Sequence, residues 1–263
     1  MGYGWRGRIG LIVPSPDTTA EAEFWKLVPP GVSVHVARMH YPKTITIEAH
    51  DEMEKDSVKA ARDLTTGGVN LILYGCTSGS FFRGREGERE TVKRLEEASG
   101  LPVITTSMAV VEALNALGAK KIVIATPYPA ELDEREKTFF EAFDFDVVKI
   151  KGMGISDSLG IGWLGPEESY RLARSIASPA ADAIFISCMN LRTVEILEAL
   201  ERDTGKPAVS SSQASMWLSL RALGIKDPVK GYGSLLEDTS LRGPFDFWKK
   251  EEGRVAAVRR RKP

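Results

Sequence analysis

The chain has 263 residues, 43% of them hydrophobic, which suits one large or two moderate domains with real cores and excludes extensive disorder. Its 35 basic and 36 acidic side chains leave a net charge of -1, so no electrostatic case exists for nucleic acid as a partner. Two cysteines without a secretory leader do not make a disulfide framework, and the first apolar run, Ile9 to Val13, is too short for a signal core or a membrane span; a reducing cytoplasm and no membrane partner are expected.

The first expected strand, Arg8 to Ser15, ends in a turn. Pro16-Asp17-Thr18-Thr19-Ala20-Glu21 then offers capping groups for a helix from about Thr19 to Leu27. Pro29-Pro30-Gly31 stops that helix, and Val32 to Val36 alternates as a second strand. Glu48 to Leu64 carries charge on one face and small apolar residues on another, as a surface helix does. The next apolar run, Asn70 to Tyr74, breaks off in Gly75-Cys76-Thr77-Ser78-Gly79-Ser80, a buried strand emptying into a turn of thiol and hydroxyls. Phe81 to Arg85 reads as a loop, with Phe81 and Phe82 either walling a pocket or packing. Glu88 to Ala98 reads as a charged helix closed by Gly100, and Pro102 to Ser107 as a strand with hydroxyls at the start of a helix from Met108 to Leu117.

The second half repeats the first. Lys121 to Tyr128 lines up with Arg8 to Ser15, with Pro127 113 positions after Pro14; Cys188 follows Cys76 by 112, and Pro207 follows Pro102 by 105. The alternation and the repeat predict an α/β fold of two pseudo-symmetric lobes, each a parallel sheet flanked by helices, with the active site in the inter-lobe cleft. The expected boundaries are 8–118, 119–225 and a C-terminal extension, 226–263, whose basic end, Arg259-Arg260-Arg261-Lys262, reads as a solvated or partner-packed terminus. The symmetry puts Cys76 and Cys188 on opposite walls of the cleft.

A thiol on each face of a small planar acid suits isomerisation, racemisation or protonation of an enediolate, because one sulfur attacks or deprotonates while the other delivers a proton. Such chemistry concentrates charge on a carboxylate and needs donors. Thr77 and Ser78 adjoin Cys76, while Ser15, Asp17 and Thr18 in the first turn and Tyr128 at the matching place offer more. Asn190 and Arg192, next to Cys188, either orient it or serve as a helix cap and a surface residue. His35, His40 and His50 crowd the first fifth of the chain without metal-ligand spacing and read as ordinary polar histidines, so neither metal nor cofactor is expected.

Taken together, Ile9-Gly10-Leu11-Ile12-Val13-Pro14-Ser15 with Thr18-Thr19, Cys76-Thr77-Ser78-Gly79-Ser80-Phe81, Ala125-Thr126-Pro127-Tyr128 and Ser187-Cys188-Met189-Asn190-Leu191-Arg192-Thr193 resemble the maleate cis-trans isomerase and arylmalonate decarboxylase branch of the aspartate/glutamate racemase superfamily, over roughly Arg8 to Leu236. The resemblance implies that Cys76 adds to the substrate double bond, that Cys188 serves as acid/base, and that Tyr128, Thr77 and Ser78 hold carboxylates. With Met189 and Asn190 beside Cys188, the expected binding set is Ser15, Asp17, Thr77, Ser78, Tyr128, Met189 and Asn190. Arylmalonate decarboxylases have glycine at the first cysteine, so two thiols favour an isomerase or racemase. The chain departs from the maleate group at Asp17 and Ser158, which stand where that group carries asparagine. The expectation is a cofactor-independent isomerase of a small carboxylic acid such as maleate, working as a homo-oligomer; the alternatives are decarboxylation with Cys188 as proton donor, or a non-catalytic small-carboxylate binding protein.

Overall fold

Each sheet is parallel throughout, and the two sheets share one strand order. The computed structural model describes residues 2–42 and 46–243, with the side chain at position 47 excepted. The first lobe runs β1 (Gly7–Pro14), α1 (Ala20–Leu27), β2 (Val32–Met39), α2 (Ile47–Thr66), β3 (Leu71–Tyr74), α3 (Thr77–Phe81), α4 (Gly84–Ser99), β4 (Val103–Thr105) and α5 (Thr106–Ala116). The second runs β5 (Lys121–Thr126), α6 (Ala130–Glu141), β6 (Asp146–Gly152), α7 (Ser158–Gly162), α8 (Pro166–Ile176), β7 (Ala183–Ile186), a 3-10 turn (Val194–Ile196), α9 (Leu197–Thr204), β8 (Ala208–Ser210) and α10 (Ser211–Ala222), before a short α11 (Ser234–Glu237). The sheet orders are β2-β1-β3-β4 and β6-β5-β7-β8.

That order positions the site. In each lobe the chain leaves the first strand toward one edge and the third toward the other, so a crevice opens beyond the carboxyl ends of β1 and β3, and of β5 and β7. The turns at those four ends carry Asp17, Cys76, Tyr128 and Cys188. β3 and β7 are short, apolar and buried along their whole length, as parallel strands covered on both faces must be. The local signals repeat as well: Gly100 and Gly205 close α4 and α9 with left-handed backbone, and Thr105 and Ser210 cap α5 and α10. One apolar core runs through both lobes, joining Val110 and Leu114 of α5 to Trp217 and Leu220 of α10. A polar clamp adds to it: Glu23 of α1 accepts from the backbone N–H groups of Thr193 (2.5 Å) and Val194 (3.0 Å).

The two-lobed parallel α/β architecture is as expected from the sequence. Differences are local. The segment read as a loop, Phe81 to Arg85, instead ends α3 and starts α4, which begins at Gly84 rather than Glu88; burial of Phe81 and Phe82 outweighs the poor helix propensity of its glycines and serines. The helix that follows Asn190 is preceded by the 3-10 turn and starts only at Leu197. The basic end, Arg259 to Lys262, lies outside the described residues. Among the described residues no helix is long and apolar enough to cross a membrane.

Candidate active site

Both thiols line one cavity of about 30 Å³, room for a water or two rather than for a dicarboxylate, so its walls must move to admit one. Asp17, Tyr41, Ser78, Tyr128, Ser158, Ile161, Met189 and Asn190 share the lining. Cys76 and Cys188 are 7% and 8% exposed and unpaired. A larger groove, about 300 Å³, lies between α4 and α5, lined by residues that include Val92, Ile104 and Met108, and neither cysteine opens into it.

Cys76 occupies the N-cap position of α3, where its Sγ accepts from the Gly79 N–H at 3.3 Å and lies 3.7 Å from Ser78 Oγ. Only glycine fits at 79: a Cβ there would come within 2.7 Å of Tyr74 Oη and 3.1 Å of Cys76 Sγ. The Thr77 hydroxyl donates to Ser211 Oγ (3.0 Å), and the same oxygen accepts from the Cys188 N–H (3.1 Å), so one hydroxyl of α10 ties the two cysteine turns together.

Cys188 sits at φ 93°, a left-handed conformation that costs a side-chain-bearing residue roughly 1–3 kcal/mol. Its neighbours hold it there: the Ser187 N–H donates to the Ala125 carbonyl (2.8 Å), and the Ser187 hydroxyl donates to Glu136 Oε1 (2.6 Å). Tyr128 lines the same cavity. Asn190 does not cap the following helix; its Oδ1 accepts from the Thr18 N–H (2.9 Å) and its Nδ2 donates to the Ser158 carbonyl (2.8 Å), linking the first turn, the Cys188 turn and α7. Gly162 permits that closeness, since a Cβ there would lie 2.9 Å from Asn190 Oδ1.

The electrostatics disfavour thiolate at Cys76 despite its place at a helix start. Burial pushes the Cys76 thiol up to about 11, against smaller help from the Gly79 N–H and Ser78, and pushes Cys188 up to about 12, against hydrogen bonds from Tyr128 and Asn190. Asp17 disfavours both thiolates further. Burial also raises Asp17 to about 6, although its Oδ1 accepts from the N–H groups of Thr19 (3.0 Å) and Ala20 (2.8 Å). Among the described residues no lysine or arginine lines the cavity, and burial favours the neutral form of both thiols.

Of the residues expected at the site, Asp17, Cys76, Thr77, Ser78, Tyr128, Cys188, Met189 and Asn190 come together, with Ser158 from the start of α7. Ser15 does not line the cavity: its Oγ donates to the Tyr41 carbonyl (3.2 Å) and accepts from the Tyr41 N–H (3.0 Å), which anchors the segment carrying the Tyr41 ring. Arg192 is exposed and paired with Glu195. Phe81 packs edge-on to Tyr128 and Phe82 stacks on His50, so neither walls the cavity.

Comparison with known proteins agrees with the motifs. A sequence model of the arylmalonate decarboxylase family matches residues 9–236. The chain belongs to the arylmalonate decarboxylase family. The maleate isomerase of Pseudomonas putida is 29% identical over 242 residues, covering 87% of this chain and 96% of the relative. The arylmalonate decarboxylase of Bordetella bronchiseptica is 30% identical over 239 residues, covering 88% and 97%. Among solved structures, a cysteine-to-serine variant of the Nocardia farcinica maleate cis-trans isomerase, with a covalently bound succinylcysteine intermediate, matches with a TM-score of 0.84 at 27% identity, over 88% of this chain and 98% of that one.

Within this member of the arylmalonate decarboxylase family, sequence reasoning missed Tyr41, His50 and Ser211. His50 is not an ordinary polar histidine: it is 2% exposed, and its Nε2 is 3.1 Å from Ser78 Oγ. A signal for it existed in helical spacing, because His50 falls on the stripe Met53, Ser57, Ala61 and Leu64 that α2 buries. Ser211 lay in the mirrored segment after Pro207, but which of its three serines turns toward the cleft depends on where α10 begins. Tyr41 had no local signal.

Proposed function

We propose that the protein is a cofactor-independent cis-trans isomerase of a small unsaturated carboxylate of the maleate type. Cys76 Sγ adds to one carbon of the double bond, the former double bond rotates as a single bond, and expulsion of Cys76 leaves the trans acid. Cys188, across the cavity, gives and retakes a proton at the reacting carbons or their carboxylate as charge develops there. Tyr128, Asn190 and the backbone beside Thr77 and Ser78 are the donors for the carboxylates, and Met189 and Ile161 are apolar walls. Asp17, whose carboxyl burial raises to about 6, donates to a substrate carboxylate when protonated. Its partial neutrality answers the repulsion that an ionised Asp17 would exert in place of asparagine.

The observation that carries this reading is the placement of two thiols, from symmetry-related strand ends, on one buried cavity. The test is incubation of maleate with the purified protein in metal-chelated, cofactor-free buffer. Conversion to the trans isomer is expected, with loss of turnover in both Cys76→Ser and Cys188→Ser; undiminished turnover in either variant overturns the mechanism. The Bordetella relative supports a second reading, decarboxylation of an arylmalonate by Cys188 alone, in which Cys76→Ser would keep its activity. The second thiol favours isomerisation. The reading also keeps the division into 8–118, 119–225 and 226–263, a reducing cytoplasm in which both thiols stay free, and a homo-oligomer, which sedimentation would measure.

A further inference from the structure

A nucleophilic thiol held near 11 is almost wholly protonated at neutral pH, so attack by Cys76 needs somewhere for its proton to go. The hydrogen bonds around His50 supply a place. His50 Nδ1 is 2.7 Å from the Thr46 carbonyl oxygen, which can only accept, so Nδ1 carries a hydrogen and the neutral ring presents a lone pair at Nε2. That lone pair accepts from the Ser78 hydroxyl at 3.1 Å, which turns a Ser78 lone pair toward Cys76 Sγ at 3.7 Å. The row thiol, hydroxyl, imidazole is thus ordered by one backbone carbonyl.

We propose that His50 is a positioning residue that takes up the Cys76 proton through Ser78. As the bond between Cys76 Sγ and substrate carbon forms, the Sγ–H proton passes to Ser78 Oγ while the Ser78 proton passes to His50 Nε2. The pair of electrons from the broken S–H bond stays on sulfur. When the C–S bond breaks, both protons return. The shuttle also frees a donor: once Nε2–H donates to Ser78 Oγ, the Ser78 hydroxyl hydrogen points back to the cavity, where sulfur or a carboxylate accepts it.

The surroundings keep the imidazole neutral at rest and able to accept. Phe82 stacks on it at 4.5 Å, Tyr41 lies edge-on at 5.3 Å, and burial lowers its pKa. Arg135, over the far side of the Phe82 ring, and Arg83 oppose the imidazolium, while Asp51 and the Thr46 carbonyl favour it. Arg83 is itself paired with Asp51 and Glu54. On the other side of the relay Asp17, Tyr41, Tyr74, Tyr128 and Cys188 act on the thiol electrostatically; Asp17 is a base there, but its Oδ1 accepts from the Thr19 and Ala20 N–H groups, whereas Ser78 is the side chain within hydrogen-bond reach of Cys76 Sγ.

The inference rests on the reading of Cys76 as nucleophile, but its test needs no substrate. In a Cys188→Ser background, Cys76 is the single thiol, and its alkylation by iodoacetamide is followed against pH together with thiolate ultraviolet absorbance. With His50 present the rate is expected to be flat from about pH 7 to about pH 9, because the neutral imidazole assists the protonated thiol. His50→Gln keeps a hydrogen-bond acceptor for Ser78 but takes up no proton. It is expected to react about a hundredfold more slowly near neutral pH and to speed up about tenfold per pH unit, with Ser78→Ala behaving alike. Rates that climb identically with pH in the parent and in both variants overturn the relay, even if maleate is isomerised. A flat parent profile that both variants lose upholds it, whatever acid proves to be the substrate.

Discussion

Asp17→Asn separates the charge of the first turn from its shape. Asp17 Oδ1 already accepts from Thr19 and Ala20, and an asparagine oxygen can do the same, leaving an NH₂ group where the second carboxylate oxygen stands. With the wild-type carboxyl titrating at about 6, its neutral fraction falls about tenfold per pH unit above that and is about 1% near pH 8. If the neutral form is the one that receives a substrate carboxylate, the wild-type KM for maleate rises in step, while the asparagine variant stays flat. Near pH 8 the variant should then show a KM about a hundredfold lower, equivalent to roughly 2.7 kcal/mol, and near pH 5 the two should agree. Removing the charge also relieves its opposition to both thiolates, so kcat should rise with the substitution rather than fall. Initial-rate kinetics of maleate loss across this range decide it. Parallel KM profiles for the two proteins would refute the assignment of Asp17 as a protonated donor.

Cys188 is strained, so Cys188→Gly should be more stable than Cys188→Ala by about 1 kcal/mol although both lose the thiol; urea midpoints that rank the alanine variant higher contradict the backbone argument. Glu23, buried between the lobes, is raised from 4.5 to about 7, mainly by desolvation. The folded state therefore holds a proton that the unfolded chain releases, a contribution fully present below about 4.5 and lost as pH rises through about 7. Relative to Glu23→Gln, the wild type should lose roughly 3 kcal/mol of stability between about pH 4.5 and pH 8. A stability difference independent of pH would mean that the carboxylate is not desolvated.

The fold was legible because it is written twice. Prolines at the ends of β1 and β5, cysteines after β3 and β7, and the glycines closing α4 and α9 recur in one order, and apolar runs such as Leu71–Tyr74 and Ala183–Ile186 mark strands covered on both faces. Residues at the ends of those strands were legible for the same reason, since topology alone brings Asp17, Cys76, Tyr128 and Cys188 to one crevice. What escaped was whatever depends on side-chain direction or on burial. Ser15 turns back to the Tyr41 backbone, Asn190 bridges to Thr18 and Ser158 instead of capping a helix, and His50 reaches the site from a helix whose other face is charged. Thiol ionisation was not legible either, because a helix start is a weak, local influence, whereas removal from water acts on the whole charge.

The most direct test of the two-thiol account is the intact mass of the Cys188→Ser variant after exposure to maleate. With the nucleophile kept and the group that retakes the proton gone, the carbon next to the new C–S bond takes its proton from solvent and cannot readily lose it, so the account predicts a stable gain of one maleic acid, mapped by peptide analysis to Cys76 and absent when Cys76 is also replaced by serine. An unchanged mass, or a gain that persists without Cys76, would contradict it.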